Sequence, residues 1–425
     1  MTNNKVTVIP QKGYYKSQIA IKLVDYFDKE GFDFNGKTVL LKPSFVMPFP
    51  DMSLTLAANT HNMLIAGIAK ALSLREASKI IIAEHRTIGP ARYAFYTVGI
   101  KKAVKGIKNV KFYYLDEKKR VTKTIDNPFI PNYEVKYPKM LLDETIDYFI
   151  SIPKLKMNLY TQVTLSIKNN FGLISKKERL RLHDRDNLDK HLASLTLIKK
   201  PDLIITDAII AGEGQGPHLT KPVNTGMMIV GTNPLAVDTV CCDLIGIDPH
   251  SIGHLELLYD RGIGPLDINN IEIENRDYLE SNKKSFKKPD SNLKMTPLMQ
   301  IFQGPKACVE GCIGMLKGSL DSYAMEKGWY SLGRLNIIIG DPEIPEETLK
   351  TLDKKRTLVY GTCAKKYKKY GTYFNGCPPD YVKSLIKMSF FSPLGLNPNI
   401  KLSRVSPGKY ARAWGLYILQ RIFRF

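Results

Sequence analysis

The sequence predicts an α/β fold: a mostly parallel sheet with helices on both faces, followed by a smaller C-terminal α/β module. Short β-rich apolar runs alternate with stretches of helical periodicity over about the first 300 residues. A polar, lysine-rich stretch then separates this region from a second, shorter series of the same kind. A chain of 425 residues with 44% hydrophobic and 24% charged residues is expected to form about two globular domains, which excludes wholesale disorder and a fibrous repeat.

Five apolar runs are predicted strands because branched apolar residues cluster in each. They are Lys37 to Leu41, Lys79 to Ala83, Asp147 to Ile152, Leu203 to Thr206 and Met227 to Val230. Helical spacing predicts one helix from Thr60 through Leu72, with a threonine as its cap, and a second from Pro234 through Ile245 after Asn233. Cys241 and Cys242 lie in the second helix, where we expect them to pack in the core.

The polar stretch and the elements that follow it define the predicted domain boundaries. We predict an α/β ligand-binding domain over 1–275, a polar linker over 276–297, a four-cysteine module over 298–390 and a basic tail over 391–425. The module is predicted to contain these elements: a helix from Val309 to Lys327, a strand Leu335 to Gly340, a short helix near Glu346, a strand Thr357 to Gly361 and a helix from Pro379 onward.

Charge and composition exclude several classes of protein. The 62 lysines and arginines exceed the 41 acidic residues by 21, which favours anionic partners. No apolar window approaches the ~18 residues of a membrane-spanning helix, and the N-terminus lacks the apolar centre of a signal peptide, so we expect a cytoplasmic protein. The sequence has no nucleophile elbow and no histidine pair with the glutamate of a zinc hydrolase.

Four cysteines fall in the C-terminal module: Cys308, Cys312, Cys363 and Cys377. Cysteine thiolates are the usual ligands of iron-sulfur clusters, and loops at the ends of parallel strands can bring distant cysteines together. Neighbouring glycines leave room for a cofactor and for backbone amides near sulfur. The set therefore predicts a [4Fe-4S] cluster. A structural zinc site and free buried thiols are the alternatives, although only one closely spaced pair of the zinc type is present.

The motifs around these cysteines resemble known proteins. GTCA followed by GCPP resembles the cluster-binding segment of the small subunits of respiratory NADH-quinone oxidoreductase and nickel-iron hydrogenase. Further upstream the chain resembles the domain-of-unknown-function family 362. That second resemblance rests on LKPS (Leu41 to Ser44), NTH (Asn59 to His61), IPKLK (Ile152 to Lys156), SIKNNFG (Ser166 to Gly172), GEGQGP (Gly212 to Pro217) and NPLAVD (Asn233 to Asp238). It implies a fold and a [4Fe-4S] cluster and leaves the activity undefined.

Polar residues directly after the predicted strands form a second candidate site, because ligands of open α/β sheets bind beyond the carboxyl ends of the strands. Candidate catalytic residues are Lys154, Lys156, Glu84 and Asp207. Candidate substrate-binding residues are Lys42, His61, Lys168, Asn169 and Glu213, with Ser44, His85 and Asn170 beside them. Lysines hold phosphates and carboxylates, and the carboxylates supply acid, base or metal-ligand chemistry, so we predict a small anionic ligand.

Simpler interpretations accompany these residues. Lys154 and Lys156 alternate along an extended segment and would also be compatible with solvent exposure. His61 opens a helix, where a capping role is as natural as a ligand role. His250 and His254 are four residues apart, but no glutamate follows the first and a glycine separates them, which disfavours a metal pair.

The tail has no acidic residue after Asp380 and ends in KYARAWGLYILQRIFRF, which predicts a basic amphipathic helix. Such a helix packs on its own protein, docks a partner or lies on an anionic membrane surface, so peripheral membrane association stays open. We do not expect nucleic acid as a partner, because the basic residues are spread along the chain rather than gathered in a recognised binding module.

Three hypotheses about function follow. In the first, the protein is a redox protein or oxidoreductase whose cluster passes electrons, with a small anionic substrate or an acidic electron-carrier protein as partner. In the second, it is a non-redox ligand-binding or assembly protein with a structural cluster. In the third, the large domain is a lyase or isomerase that uses lysine and carboxylate acid-base chemistry.

Overall fold

The computed structural model describes residues 4–46, 56–85, 90–143, 145–183, 187–327, 333–380 and 383–384. Within these ranges the chain forms two compact units, a large one over 4–178 and 189–288 and a small one over 179–188 and 289–384. The predicted basic tail and nearly all of the helix predicted from Pro379 lie outside the described residues. No helix in the described ranges combines the length and the apolar character needed to cross a membrane.

The large unit is built on one sheet of mostly parallel strands, as predicted. The strands of the large unit are β1 (Lys5–Pro10), β2 (Thr38–Pro43), β3 (Lys79–Glu84), β4 (Val110–Tyr114), β5 (Arg120–Ile125), β6 (Tyr133–Pro138), β7 (Tyr148–Ile152), β8 (Lys154–Asn158), β9 (Gln162–Thr164), β10 (Leu203–Gln215), β11 (Leu219–Gly231) and β12 (Glu272–Glu274). Strands β5 and β6 form a separate antiparallel hairpin, and the other strands form the large sheet. The order in the sheet is β12-β1-β11-β10-β7-β2-β3-β4, with β8 paired to β10 and to β9.

The middle of this sheet is parallel from β10 through β7, β2 and β3 to β4. Strand β11 is antiparallel to both of its neighbours, β10 and β1. These central strands read as nearly continuous apolar runs because both of their faces are buried. Their carboxyl ends share one edge, which is where the polar candidates of the sequence lie.

Helices surround the sheet. The helices of the large unit are α1 (Lys16–Lys29), α2 (Asn62–Leu74), α3 (Ala91–Thr97), α4 (Ile100–Ala103), α5 (Ser166–Asn169), α6 (Lys176–Leu182), which ends in the small unit, α7 (Leu188–Ile198), α8 (Pro234–Leu244), α9 (Gly253–Tyr259) and α10 (Arg276–Ser281). Helix α8 begins as predicted, with the Asn233 side chain accepting the backbone N–H groups of Leu235 and Ala236. Cys241 and Cys242 on this helix are fully buried, as expected.

The predicted threonine cap of α2 is wrong. His61 is the N-cap, and its Nδ1 accepts the N–H of Met63. The Thr60 hydroxyl instead accepts the N–H of Ser44 at 2.8 Å and donates to the carbonyl of Ile152 at 2.7 Å. This hydroxyl therefore ties the chain beyond β2 to the end of β7 instead of capping the helix.

The GEGQGP segment lies where β10 leads into β11. It forms the end of a long antiparallel hairpin, in which Glu213 pairs with Lys221 and Gln215 with Leu219. A Cβ on Gly212 would lie 2.6 Å from the carbonyl oxygen of Ala57. Close approach of another backbone accounts for glycine at this position.

The small unit contains a four-stranded parallel sheet in its described part. Its elements are β13 (Met299–Gln303), a π-helical turn over Val309–Ile313, α11 (Gly314–Lys327), β14 (Leu335–Ile339), α12 (Glu346–Thr351), β15 (Thr357–Tyr360), a 3-10 helix over Thr362–Tyr370 and β16 (Thr372–Phe374). Ile338, Val359 and Ala364 pack in its core. In the segment predicted as a linker, α10 buries Leu279 in the large unit.

Candidate functional site

Lys154, on β8, forms a buried ion pair with Asp207, which lies opposite it on the parallel neighbour β10. Both side chains are fully buried, and the Nζ of Lys154 lies 3.0 Å from Oδ2 of Asp207. The Tyr14 hydroxyl donates to Oδ1 of Asp207 at 2.8 Å and accepts from Lys154 at 3.0 Å. Burial lowers the pKa of Lys154 and Asp207 opposes that effect, while burial and Asp207 raise the pKa of Tyr14 well above its ordinary value.

His61 belongs to this cluster through its backbone and its ring. Its N–H donates to Oδ2 of Asp207 at 2.9 Å, and its ring stacks on Tyr14 with centroids 3.7 Å apart. Burial lowers the pKa of His61 to about 4, so the imidazole is neutral near pH 7. Asp207 thus accepts hydrogen bonds from Tyr14, Lys154 and His61, an arrangement that positions these groups.

A second buried ion pair joins the ends of β2 and β3. The Nζ of Lys42 lies 2.9 Å from Oε2 of Glu84 and donates to Oδ1 of Asn169 at 2.8 Å. Asn169 in turn donates to the Ser151 hydroxyl at 2.9 Å. A Cβ on Gly172 would lie 2.6 Å from the Nζ of Lys42, so a larger residue here would displace the side chains of this pair.

Lys156 lies two residues beyond Lys154 on β8 and is also fully buried. Its ammonium donates to the carbonyl oxygen of Ala58. Burial, reinforced by the positive charges of Lys154 and Lys168, lowers the pKa of Lys156 well below its ordinary value. Burial and the charge of Lys156 likewise lower the pKa of His218 to about 3.

Lys168 and Asn170 have unused hydrogen-bonding capacity. Lys168 is 8% exposed, and its Nζ has no hydrogen-bond partner among the described residues, lying 5.5 Å from the Phe171 ring centroid. Asn170 is fully buried, and neither its Nδ2 nor its Oδ1 has such a partner in the described ranges. Burial lowers the pKa of Lys168 to about 8.

Asp238 holds the segment that carries these residues. Its carboxylate accepts the N–H of Ser166 at 2.8 Å and of Ile167 at 3.0 Å, at the start of α5. Burial raises the pKa of Asp238 to about 6, with the two N–H groups opposing the increase. Asp238 therefore positions Lys168 and its neighbours.

Most predicted residues of this site are brought together by the fold. We call this cluster the lysine site. It comprises four lysines and four carboxylate or amide residues: Lys42, Lys154, Lys156, Lys168, Glu84, Asp207, Asn169 and Asn170. His85 lies beside it, with its N–H 2.7 Å from Oε1 of Glu84. Glu213 does not join it, since its carboxylate accepts the N–H of Lys287 at 3.0 Å. The alternative of solvent exposure for Lys154 and Lys156 is wrong.

Sequence reasoning missed Tyr14 and Asp238 as contributors. Tyr14 follows β1, whose alternating KVTVIP sequence was an available strand signal that our prediction did not use. Asp238 lay within a recognised motif, but its hydrogen bonds to α5 span 71 residues or more and leave no local trace. His250 and His254 point to different carboxylates, Glu256 and Asp189, rather than to each other.

The four cysteines of the small unit influence one another electrostatically. Burial raises the pKa of Cys312, and the nearby thiols of Cys308, Cys377 and Cys363 raise it further. Backbone N–H groups of Cys312 and Gly311 hydrogen-bond to Cys308. A Cβ on Gly361, whose φ is +87°, would lie 2.6 Å from the Sγ of Cys312. The four thiols therefore lie near enough to influence one another electrostatically, and glycine at position 361 lets the backbone approach Cys312.

These thiols are not arranged as a finished metal site. Among the described residues, no three or more His, Cys, Asp or Glu side chains come together closely enough to hold a metal ion. The donor types nevertheless fit an iron-sulfur cluster, because thiol sulfur and backbone N–H groups directed at it are the surroundings that such clusters use.

Comparisons with known proteins cover parts of the chain. A thylakoid-associated protein of Synechocystis sp. is 30% identical over 124 residues, which are 28% of this chain and 39% of that protein, so the match spans about two fifths of that relative. A crystal structure of a Thermotoga maritima protein aligns with 55% of this chain and 59% of that one, at 12% identity and a TM-score of 0.35. Residues 39–243 match the model of the family described as "Domain of unknown function (DUF362)", which confirms that resemblance over slightly less than half of the chain.

Proposed function

We propose that the large unit binds a small anionic molecule at the lysine site. The observation that carries this proposal is Lys168, whose buried Nζ has no hydrogen-bond partner and no carboxylate partner among the described residues. Lys42 and Lys154 each have a carboxylate partner, at 2.9 and 3.0 Å. Among the described residues no carboxylate lies within ion-pair distance of Lys156 or Lys168. Buried charge without a partner costs several kcal/mol, and a bound anion would remove that cost.

The neutral side-chain amide of Asn170 also supports anion binding at this site. Its buried amide has two N–H donors and a carbonyl acceptor, none of which is used within the described ranges. A buried polar group left unpaired costs about 1–3 kcal/mol, so such groups are usually satisfied by water or by a ligand. An oxyanion would accept hydrogen bonds from Lys168 and Asn170 together.

The chemistry that this site offers is proton transfer, in line with the lyase or isomerase hypothesis. Asp207 and Lys154 use their hydrogen bonds on each other, on Tyr14 and on His61, so we assign them to positioning. Lys156 has a lowered pKa and sits beside the positive charges of its neighbours, which favours the neutral amine that a general base requires. Glu84 would orient Lys42 toward the ligand.

Anion binding is expected to weaken as pH rises through about 8. Lys168 holds its proton below its pKa of about 8 and loses it above, and only the ammonium attracts an anion. We expect affinity about tenfold lower at pH 9 than at pH 7, since the protonated fraction falls by that factor. The measurement is isothermal titration calorimetry with phosphate, sulfate, malonate and succinate. The affinity is then measured from pH 7 to pH 9 with one of the anions that binds and whose own charge stays constant over this range.

Lys168→Met should lower the affinity about tenfold or more and remove the pH dependence between 7 and 9. Lys139→Met is the matched control, because this lysine is half exposed on a 3-10 turn and pairs with Asp143, which is not a residue of the lysine site. Equal affinity in wild type and Lys168→Met, or no binding by any of the four anions, would contradict the proposal.

The small unit supports a second candidate function, the iron-sulfur redox protein. We propose that Cys308, Cys312, Cys363 and Cys377 hold a [4Fe-4S] cluster, on the ground of their mutual electrostatic influence and the backbone N–H groups near Cys308. A bound cluster with four thiolate ligands supplies one-electron transfer or a structural link. Zinc bound by the same thiols, and a purely structural cluster in a ligand-binding or assembly protein, are the alternatives that metal analysis and reduction would separate.

The surface beside Cys363 favours an acidic electron-carrier protein as partner in this second candidate. The 3-10 helix that begins at Thr362 presents four exposed lysines: Lys365, Lys366, Lys368 and Lys369. Cys363 is partly exposed and Cys377 is exposed, so a docked protein would come near the thiols. Complementary charge accelerates encounter and orients such complexes.

Membrane association is proposed through the basic tail, over 391–425. Its basic and aromatic composition suits an anionic lipid surface, and the relative from Synechocystis sp. is described as thylakoid-associated. Apart from this membrane contact, we propose that the protein is cytoplasmic. Flotation of the full chain with anionic vesicles, against a chain ending at residue 390, would test this assignment.

A further inference from the structure

The pair formed by His254 and Asp189 acts on Lys168 through the charge of Asp189, and the proposed anion site has not used it so far. The Nδ1 of His254, at the start of α9, lies 2.6 Å from Oδ1 of Asp189, in the first turn of α7. His254 is fully buried. A Cβ on residue 253 would lie 2.6 Å from Oδ2 of Asp189, so glycine at this position permits the close approach of the two elements.

The geometry fixes which ring nitrogen carries the proton. An ionised carboxylate only accepts hydrogen bonds, so Nδ1 of His254 must donate to Asp189. Although burial acts to raise the pKa of Asp189, the hydrogen bond from His254 and the charge of Lys168 lower it below the ordinary value, which keeps the carboxylate ionised. In the neutral ring Nε2 is then left as an acceptor with a lone pair.

That acceptor has no partner in the described part of the chain. Nε2 of His254 is buried and makes no hydrogen bond there, as is also true of Nζ of Lys168 and both polar atoms of Asn170. Asp189 links the two sets, since its charge acts on Lys168 while its oxygen binds His254. Asp238 holds the residues just before Lys168.

We propose that His254 is a specificity-determining residue of the lysine site and selects anions that carry an O–H group. Lys168 and Asn170 supply donors for charged oxygens, and Nε2 of His254 supplies the acceptor for one hydroxyl hydrogen of the same ligand. An anion of equal charge and shape without that hydrogen places an oxygen lone pair against the lone pair of Nε2 and leaves both unpaired. The inference rests on the proposed anion site and adds the class of ligand to it.

Hydrogen phosphate and sulfate are matched probes for this inference. Both are predominantly dianions at pH 7.5 and tetrahedral, and only hydrogen phosphate carries an O–H. We expect wild-type protein to bind hydrogen phosphate about tenfold more tightly or better, because a site built to pair a hydroxyl rejects the analogue that lacks it. Equal affinity for the two anions, or tighter binding of sulfate, would overturn the inference.

Asp189→Asn tests the mechanism of the preference. An amide that donates to Nδ1 moves the ring proton to Nε2, which turns the acceptor into a donor, so the preference should fall below about threefold while anion binding persists. Nitrogen chemical shifts of His254 in wild-type protein need no variant: they should report an unprotonated Nε2 that shifts when phosphate is added. A protonated Nε2, or no shift at saturating phosphate, would contradict the inference.

Different results would contradict the proposed anion site and the proposed role of His254. Binding of malonate or succinate that depends on Lys168, without any preference for hydrogen phosphate over sulfate, would leave the anion site standing and remove the role of His254. Binding of none of these anions would remove both.

Discussion

Replacing Lys154 with methionine is expected to destabilise the large unit by about 3–5 kcal/mol, the usual effect of leaving one partner of a buried ion pair without the other. Asp207 would stay fully buried, and among the described residues it would keep only Tyr14 and backbone N–H groups as donors, with no positive charge at hydrogen-bonding distance. The measurement is urea unfolding of the full chain followed by circular dichroism, with the midpoint and slope of each transition compared between variants.

Two further variants make that result specific. Lys154→Met combined with Asp207→Asn removes both charges, and we expect it to recover a large part of the lost stability. Lys139→Met breaks an exposed ion pair with Asp143 at 3.7 Å and should change stability by less than about 1 kcal/mol. A Lys154→Met protein as stable as the Lys139→Met control would show that the buried pair does not hold the end of β10 to β8.

The second large effect is expected on the amount of iron bound per chain. Protein purified without oxygen, or reconstituted with iron and sulfide, should hold about four iron atoms per chain, as a [4Fe-4S] cluster requires. Cys363→Ser should reduce bound iron to a small fraction of that value, because it removes one of four proposed ligands. Gly361→Ala should act in the same direction, since the new Cβ would lie 2.6 Å from Sγ of Cys312 and the residue's φ of +87° disfavours a side chain.

Cys241→Ala is the matched control for the iron measurement. This cysteine is fully buried in the large unit on α8, so its loss should leave iron content unchanged. Zinc in place of iron in the wild-type protein would favour the structural zinc alternative. Iron that Cys363→Ser retains in full would contradict the assignment of that residue.

Sequence patterns predicted the parts of the fold that depend on local signals. Continuous branched apolar runs predicted the five strands, and Asn233 followed by Pro234 predicted the start of α8, because caps and strand propensities act within a few residues. The rule that ligands gather beyond the carboxyl ends of parallel strands then brought Lys42, Glu84 and Asp207 into one expected site.

The errors arose where a distant contact decided the outcome. Thr60 was predicted to cap α2, but its hydroxyl bridges Ser44 and Ile152, and His61 caps the helix instead. The glycines in GEGQGP allow β10 and the turn after it to pass close to other backbone, a distant contact that the sequence does not show. The burial of Lys154 and Lys156 had no local signal either, because it depends on how the sheet and the helices enclose β8.

The central claim, that the lysine site binds a small anion, is tested most directly by a crystal structure of the full chain with hydrogen arsenate. Arsenate carries an O–H group as phosphate does, and arsenic can be located by its anomalous scattering. The account predicts an arsenic peak in the large unit with oxygens within hydrogen-bonding distance of Lys168 and Asn170. Peaks confined to exposed lysines, with water at both of these side chains, would contradict it.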